Sequence, residues 1–273
     1  MTLTPMDDRV KSGRLEAARQ FWVLARYWLL REWRTRYAGS ALGWVWAVVQ
    51  PLVTLLIFYG LFGVVLSVRV PGLEAENGFL LHLLAGLAIW LPFSDAVGRG
   101  VGSLVAYEDF LRKQPIPAEL LPFSAVGGSV LVMGIGYAML LLVAPLQSVF
   151  PTPSWCWIPV LMGAQAAITL GVTFGLSMAH FLWRDVGSIV GFLLQLWFYL
   201  TPIVYPLAQV PERFHLWYLL NPLACLVMCL QSVVLGLPAP AGTVWALVAW
   251  VVVIGVGGWA FFRAMKPALG EAL

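Results

Sequence analysis

The chain has 273 residues, of which 61% are apolar and only 11% are charged. This is too little polar side chain to cover a water-soluble globule, so the composition excludes that class. The net charge of +3 is small and gives no indication of a nucleic-acid partner. The sequence therefore predicts an integral membrane protein.

The first 36 residues are expected to stay on the cytosolic side of the membrane. Residues 1–15 are polar and lead into no apolar core of a signal peptide. From Glu16 onward, apolar residues recur at helical spacing, and five arginines up to Arg36 interrupt them. We expect an amphipathic helix at the lipid interface, where guanidinium groups meet phosphates and rings reach the acyl chains. It is either a plain juxtamembrane anchor or a gate at the cytosolic mouth of a pathway.

Six uncharged or nearly uncharged runs are long enough to cross a bilayer. They are Tyr37–Val68, Phe79–Val97, Leu120–Val149, Trp155–Phe181, Val186–Tyr205, which is broken late by Thr201 and Pro202, and Thr243–Phe262. The apolar segment Leu223–Leu235 has 13 residues and is too short to cross. We expect it to be re-entrant or interfacial and packed against protein, because its chain ends cannot face lipid.

The predicted fold is thus an all-α integral membrane protein with six transmembrane helices, an N-terminal interface helix and short re-entrant helices between spans five and six. The distribution of basic residues orients it, because 14 Lys and Arg fall on one side and two on the other. This skew places both termini in the cytosol.

The middle of each predicted span lacks Lys, Arg, Asp and Glu, which argues against ion-coupled or proton-coupled carriers. Asp95 lies near the cytosolic end of the second span, and we expect it to pair with Arg99, four residues further on. Asp95 as a proton relay is the alternative.

Catalytic and metal-binding patterns are weak. Cys156, Cys225 and Cys229 are expected to be small apolar filler rather than a disulfide framework or metal ligands, so we predict no metal site. His180 near Arg184 comes closest to a catalytic cluster but has no nucleophile at a recognisable spacing. None of the three lysines follows a glycine, which excludes a P-loop, so any ATP must be used by another chain.

The cytosolic segment between spans two and three, Tyr107–Lys113, has the size of a two-turn helix ended by Pro115 and Pro117. Its acidic start and basic end suit the helix dipole. Phe110 and Leu111 would be apolar on an exposed tip, which favours a peg that docks in a partner over a solvated connector. The turn at Arg184 and Asp185 would lie on the same face.

Several motifs in this order resemble one family. They are residues 36–43 (RYAGSALG) followed by Trp46 and Pro51, Phe110-Leu111 to Ile116-Pro117, Leu120-Leu121-Pro122, Arg184-Asp185-Val186, residues 201–206 (TPIVYP) and Asn221-Pro222. Together they resemble the permease subunits of type-2 ABC exporters of bacterial polysaccharides, over nearly the whole chain. Pro115 departs from the pattern, which more often has an aromatic or β-branched residue there.

The resemblance implies a homodimer in the bacterial inner membrane, in which each chain binds a P-loop ATPase. That partner would bind ATP and Mg, and this chain would hold no cofactor. The exported substrate would be a lipid-linked glycan: undecaprenyl-linked O-antigen, capsular polysaccharide or teichoic acid. The chain would be one permease domain over residues 1–273, with a cytosolic tail and interface helix (1–36), six spans (37–262) and a second cytosolic tail (263–273). Residues 216–235 would form the periplasmic-side re-entrant helices.

The resemblance also assigns roles to residues. The ATPase-coupling set would be Tyr107, Glu108, Asp109, Phe110, Leu111, Arg112, Lys113, Arg184 and Asp185. The gate or interface helix would contribute Trp28, Arg31, Trp33, Arg34, Arg36 and Tyr37. Candidates for the substrate pathway are the aromatic residues Trp44, Trp46, Phe58, Tyr59, Trp197, Phe198, Tyr199 and Tyr205, since sugar C–H faces stack on rings.

For each of these aromatic side chains, a place in the lipid belt or in the core is the alternative to a place in the pathway. Two other functions stay open for the whole chain. One is export of a small amphiphile or drug by the same fold, and the other is a membrane-embedded enzyme.

Overall fold

The computed structural model describes residues 5–36, 38–73, 78–114 and 116–272, with side chains from residue 19 to residue 271 within these ranges. All regular structure in this part of the chain is helical, which confirms the predicted fold class. The helices are α1 Pro5–Arg36, α2 Trp46–Phe58, α3 Gly78–Val101, α4 Ser103–Ala106, α5 Glu108–Lys113, α6 Leu120–Leu146, α7 Ile158–Leu182, α8 Val186–Leu200, α9 His215–Tyr218, α10 Pro222–Leu235 and α11 Thr243–Ala272. Tyr37 and Pro115 lie outside the described residues.

Short irregular helices extend several of these elements. A 3₁₀ turn, Gly43–Val45, leads into α2, and a π-helix, Tyr59–Val65, continues α2. Another 3₁₀ turn, Pro153–Trp157, leads into α7. Two more, Leu207–Gln209 and Glu212–Phe214, precede α9.

Within the described ranges, five helical segments are long and apolar enough to cross a membrane, and they match five of the six predicted spans. They are Gly43–Val65, Gly78–Val101, Leu120–Leu146, Pro153–Leu182 and Thr243–Glu271. The remaining predicted span is α8, whose 15 residues extend about 22 Å, less than a hydrocarbon core of about 30 Å.

Helix α8 ends where the sequence predicts a break. Thr201 is extended (ψ 136°) because Pro202 disfavours helical backbone in the residue before it. Residues 201–204 do not resume the helix but turn into the protein and are buried. The prediction of a spanning segment up to Tyr205 is therefore wrong for its last five residues.

The segment after α8 bends back on itself. Helical residues Glu212–Tyr218 and Pro222–Leu235 meet at 108°, the geometry of a re-entrant loop or a broken span. Helix α10 is buried along nearly its whole length, as predicted for a short segment packed against protein. Gly236 ends it in the left-handed conformation (φ 68°) that glycine adopts without strain.

Helix α3 lies at the centre of the bundle and packs mainly on α6 and α7. Small residues bring these helices close: a Cβ on Gly136 would lie 3.0 Å from the Ala88 Cα. Helices α7 and α11 are closer still, since a Cβ on Gly171 would overlap the Ile254 carbonyl. By contrast, α2 and α11 bury little of their surface within the chain.

A second core lies at one end of the bundle and joins α1 to the spans. It includes Ala25, Trp28, Leu104, Ala118, Leu120, Leu121, Phe174, Met178, Phe262 and Leu269. This second core places α1 and the short helix α5 against each other.

Candidate functional site: charged face and aromatic cleft

The short helix α5 follows α3 and α4 after a break at Tyr107, whose backbone is not helical (φ −115°, ψ 19°). Its first turn carries Glu108 and Asp109, and its last turn carries Arg112 and Lys113, so the charges complement the helix dipole. The predicted two-turn helix is therefore present, and it begins one residue later than the predicted segment.

Glu108 connects α5 to the turn between α7 and α8. Its Oε1 accepts a hydrogen bond from Arg112 Nη2 (2.8 Å), and its Oε2 accepts one from Arg184 Nη2 (3.0 Å). The Arg112 hydrogen bond, followed by that of Arg184, lowers the pKa of this carboxyl group below its ordinary value. The two cytosolic segments predicted to share a face are thus joined by one carboxylate, with Asp109 and Asp185 exposed beside it.

The interface helix α1 lies against α5 through aromatic contacts. Trp28 is only 4% exposed, and its ring packs edge-to-face with Tyr107 and with Phe110, at 5.3 and 5.6 Å between ring centroids. The Arg31 guanidinium lies over both the Trp28 and Tyr107 rings, at 4.7 and 5.0 Å. Part of the predicted gate set, Trp28 and Arg31, is therefore in direct contact with Tyr107 and Phe110 of the predicted coupling set.

The apolar tip of α5 differs from the sequence expectation. Phe110 is 39% exposed, but Leu111 is half-buried and packs on the second core. The expectation of two exposed apolar residues is therefore wrong for Leu111, because it packs on a core that includes Trp28 of α1 and Leu121 of α6. The exposed surface of α5 consists of Asp109, Phe110, Arg112 and Lys113.

The end of α1 is attached to α3 and α6. Trp33 Nε1 donates to the Gly127 carbonyl (3.1 Å), and Arg36 Nη2 pairs with Asp95 (2.8 Å). Asp95 also pairs with Arg99 (3.1 Å), which confirms the pair predicted from their spacing. Arg34 is exposed.

Part of the predicted substrate pathway forms a cleft of about 360 Å³ between α2, α3 and α8. Phe198 lies 5.2 Å from Phe58 and 5.4 Å from Trp90, measured between ring centroids. The cleft is lined by Thr54, Phe58, Leu87, Trp90, Leu91, Ser94, Leu194, Gln195, Phe198 and Tyr199. Rings with a few hydroxyl and amide groups among them offer both the stacking surface and the hydrogen bonds that a sugar ring uses.

The other predicted pathway residues lie elsewhere. Trp44 and Trp46 are exposed at the start of the first span, and Trp46 lies eight residues before Thr54, about 12 Å along the helix. Tyr59 begins the π-helix and does not line this cleft.

Trp197 and Tyr205 have structural partners. Trp197 faces two other cavities, and its indole N–H donates to Asn221 Oδ1 (2.9 Å). The Tyr205 hydroxyl donates to the Tyr199 carbonyl (3.0 Å) and also lies 3.0 Å from the Tyr218 hydroxyl. These two side chains therefore stabilise the end of α8 rather than line its cleft.

Sequence reasoning missed Trp90, because a tryptophan inside an apolar run of the second span carries no distinctive pattern. The available signal was its spacing from Ser94. The two residues are four apart and share one face of α3, and both side chains line the cleft.

Three residues that were weighed for catalysis or metal binding, His180, Cys225 and Cys229, make local structural contacts instead. His180 Nδ1 accepts a hydrogen bond from the Gly187 backbone N–H (3.0 Å), at the start of α8. Cys225 and Cys229 are buried in α10 and pack as part of the main core, as expected for apolar filler.

Over the residues that the structure describes, the fold is that of an all-helical, multi-pass membrane protein. The model of the ABC-2 type transporter family matches residues 19–235, most of the sequence. The chain therefore belongs to the ABC-2 type transporter family.

Individual relatives match over most of their own length. An O-antigen export system permease protein RfbA of Myxococcus xanthus is 30% identical over 246 residues, covering 89% of this chain and 92% of the relative. One from Klebsiella pneumoniae is 27% identical over 251 residues, with the same coverage. The polysialic acid transport protein KpsM of Escherichia coli is 24% identical over 199 residues, covering 72% of this chain and 76% of the relative.

Proposed function

We propose that this chain is the transmembrane subunit of an exporter that moves a lipid-linked, O-antigen-like polysaccharide out across the bacterial inner membrane. A separate P-loop ATPase binds ATP and Mg and docks on the exposed surface of α5. Two copies of the chain form the passage, and both termini lie in the cytosol. The names of the relatives carry the substrate class, since two of them are O-antigen export permeases and one is a polysialic acid transporter.

The arrangement of the cytosolic segments supports the docking site and the orientation. Glu108 joins α5 to the turn after α7, so the two segments offer a partner one continuous charged surface. Lys266 Nζ pairs with Glu119 (2.6 Å), which brings the end of α11 to the same side as α1 and α5. A chain whose first and last helices end on the side of the coupling helix is consistent with two cytosolic termini.

The aromatic cleft supports a sugar substrate. It is lined by rings and neutral polar groups without a Lys, Arg, Asp or Glu, so an uncharged or charged glycan would not be trapped by a fixed ion pair. Tyr199 is 59% exposed and leaves a ring face available on α8.

The proposal is tested by deleting the gene and complementing it with wild-type and charge-reversed variants. We expect deletion to remove surface glycan and wild-type protein to restore it. Asp109→Lys should lower both export and the ATPase activity that co-purifies with the chain, because it reverses a charge on the docking surface. Glu108→Arg should lower both as well, because it breaks the pairs with Arg112 and Arg184 that hold this surface together. Glu271→Lys, an exposed reversal at the end of α11, is the matched control and should export normally.

Three results would contradict parts of the proposal. Unchanged export after both reversals would remove α5 from the docking role. Intact surface glycan after deletion, together with new sensitivity to amphiphilic drugs, would favour a small-amphiphile exporter. Chemical turnover by the purified chain alone would favour an enzyme.

A further inference from the structure

Four alternating charges join the end of α1 to α3. Glu32 Oε1 accepts from Arg99 Nη1 (2.7 Å), Arg99 Nη2 contacts Asp95 Oδ2 (3.1 Å), and Asp95 Oδ2 pairs with Arg36 Nη2 (2.8 Å). These side chains are only 10–30% exposed. Ser129 of α6 donates to Asp95 and accepts from Arg99. The four charges sum to zero, so each partly buried ion is compensated by its neighbours.

Two adjacent glycines in α6, Gly127 and Gly128, lie directly beneath this charge network and leave space for it. A Cβ on Gly128 would lie 2.7 Å from Glu32 Cγ and 3.0 Å from Arg99 Nη2, so a larger residue here would displace the two side chains that form the ion pair. A Cβ on the preceding residue, Gly127, would overlap the Leu29 side chain. Arg36 also donates to the Gly128 carbonyl (2.9 Å). Helix α1 is therefore held on α6 by close packing as well as by charge.

The contacts of α1 make it part of the same body as the coupling helix. Trp28 and Arg31 attach its middle to α5, and the charge network attaches its end to α3 and α6. Helix α5 is itself the continuation of α3 through α4. A displacement of α5 would therefore carry α1 with it.

The connection from α1 to the first span is much less tightly packed than the contacts of α1 with α3, α5 and α6. Gly39 (φ 79°) and Gly43 (φ 49°) lie in the elbow between them, and a Cβ on either would meet no atom within 4 Å. These glycines thus serve backbone conformation and not packing. Beyond the elbow, α2 buries only Ala47, Pro51 and Leu55, a single narrow stripe along the helix.

We propose that Glu32, Arg36, Asp95 and Arg99 are positioning residues for transport: they clamp α1 to α3 and α6 throughout the cycle, so that movement of α5 is delivered through α1 to the first span. This inference rests on the proposed export function. In this proposal α1 moves as a rigid body with α5 and transmits the movement to the loosely packed α2, which lines one wall of the aromatic cleft.

Loss of the clamp is tested with Arg99→Met, which keeps an apolar stem and leaves Glu32 without its partner. We expect the complex with the ATPase to form and to hydrolyse ATP, while the glycan exported per ATP falls about tenfold or more, since a partly buried charge has lost its partner. Lys266→Met is the matched control. It likewise replaces a cation by methionine, in the pair that joins α11 to Glu119 before α6, and should leave the ratio unchanged.

A reversible disulfide separates positioning from folding. In a Cys156→Ser background, Leu29→Cys with Gly127→Cys places two sulfurs within bonding reach, because a Cβ at residue 127 would lie 3.4 Å from Leu29 Cγ. The oxidised pair should export normally when the charge network is intact. Added to Arg99→Met, it should restore export per ATP when oxidised and lose it again when reduced.

The outcomes distinguish the two proposals. An oxidised pair that blocks export in the intact network would show that α1 must leave α6, and would overturn the clamp. An Arg99→Met chain that exports normally per ATP would overturn it as well. A parent chain that exports no glycan at all, in a complex that hydrolyses ATP, would instead refute the proposed function.

Discussion

Replacing Asn221 by alanine should destabilise the junction between α8 and α10. The Asn221 side chain caps α10, because its Oδ1 accepts from the Leu223 and Ala224 backbone N–H groups (3.0 and 3.2 Å). The same oxygen accepts from Trp197 Nε1 (2.9 Å), and its Nδ2 donates to Thr201 Oγ1 (3.1 Å). One side chain thus makes hydrogen bonds with groups at the end of α8 and with the first free backbone N–H groups of α10.

The magnitude follows from these bonds. Loss of a helix N-cap costs about 1 kcal/mol. A side-chain hydrogen bond between membrane helices contributes about 0.6 kcal/mol on average and about 1.7 at most. We therefore expect Asn221→Ala to lower the free energy of unfolding by roughly 2 kcal/mol, measured by SDS titration in mixed micelles.

A double-mutant cycle isolates the indole bond. Trp197→Phe keeps a ring against Phe93 (5.3 Å between centroids) and removes the N–H donor to Asn221, and the cycle cancels the cost of the smaller ring because both backgrounds contain it. The coupling energy between Trp197→Phe and Asn221→Ala should be about 0.6 to 1.7 kcal/mol. A coupling energy of zero would refute the argument that the indole hydrogen bond to Asn221 links the two helices.

Three further outcomes are expected. Gly171→Ala should destabilise the chain by about 1–3 kcal/mol in the same titration, because its Cβ meets α11, whereas Gly163→Ala on the same helix meets nothing within 4 Å and should not. Tyr199→Ala should reduce glycan export without loss of stability, and Phe192→Ala, equally exposed on α8 but outside the cleft, should leave both unchanged. Because the pKa of Glu108 is lowered, the contribution of this carboxylate to holding α5 on the turn after α7 is fully present above about pH 5 and is lost as pH falls through the lowered pKa. The protection of the α5 backbone amides against hydrogen exchange, taken relative to their intrinsic exchange rate at each pH, should therefore fall only in acid, and Glu108→Gln should remove that pH dependence.

Local sequence patterns predicted the features that depend on local physics. Hydropathy located five long spans because a span must satisfy its backbone within its own helix. The Asp95 and Arg99 pair follows from a spacing of four residues on one helix. The two-turn helix α5 follows from its terminal charges and the prolines after it.

Features that depend on distant residues were beyond the same reasoning. Arg36 was assigned to a lipid interface, yet its guanidinium reaches Asp95 on another helix, and no local pattern specifies that partner. Leu111 looked exposed because a short loop normally lies in solvent, but α1 covers it. The length of α8 was overestimated because hydropathy continues past Pro202 while the helix does not.

The order of features along α3 suggests how the cleft and the coupling face communicate. Trp90 and Ser94 line the cleft, Asp95 and Arg99 belong to the charge network, and the chain then continues through α4 into α5. Helix α3 is also the most buried span, so it cannot shift without moving α6 and α7. Under the proposed function, the helix that moves relative to α3 is then one that α3 holds loosely, and α2, attached by one buried stripe and by the segment that contains Gly39 and Gly43, meets that condition.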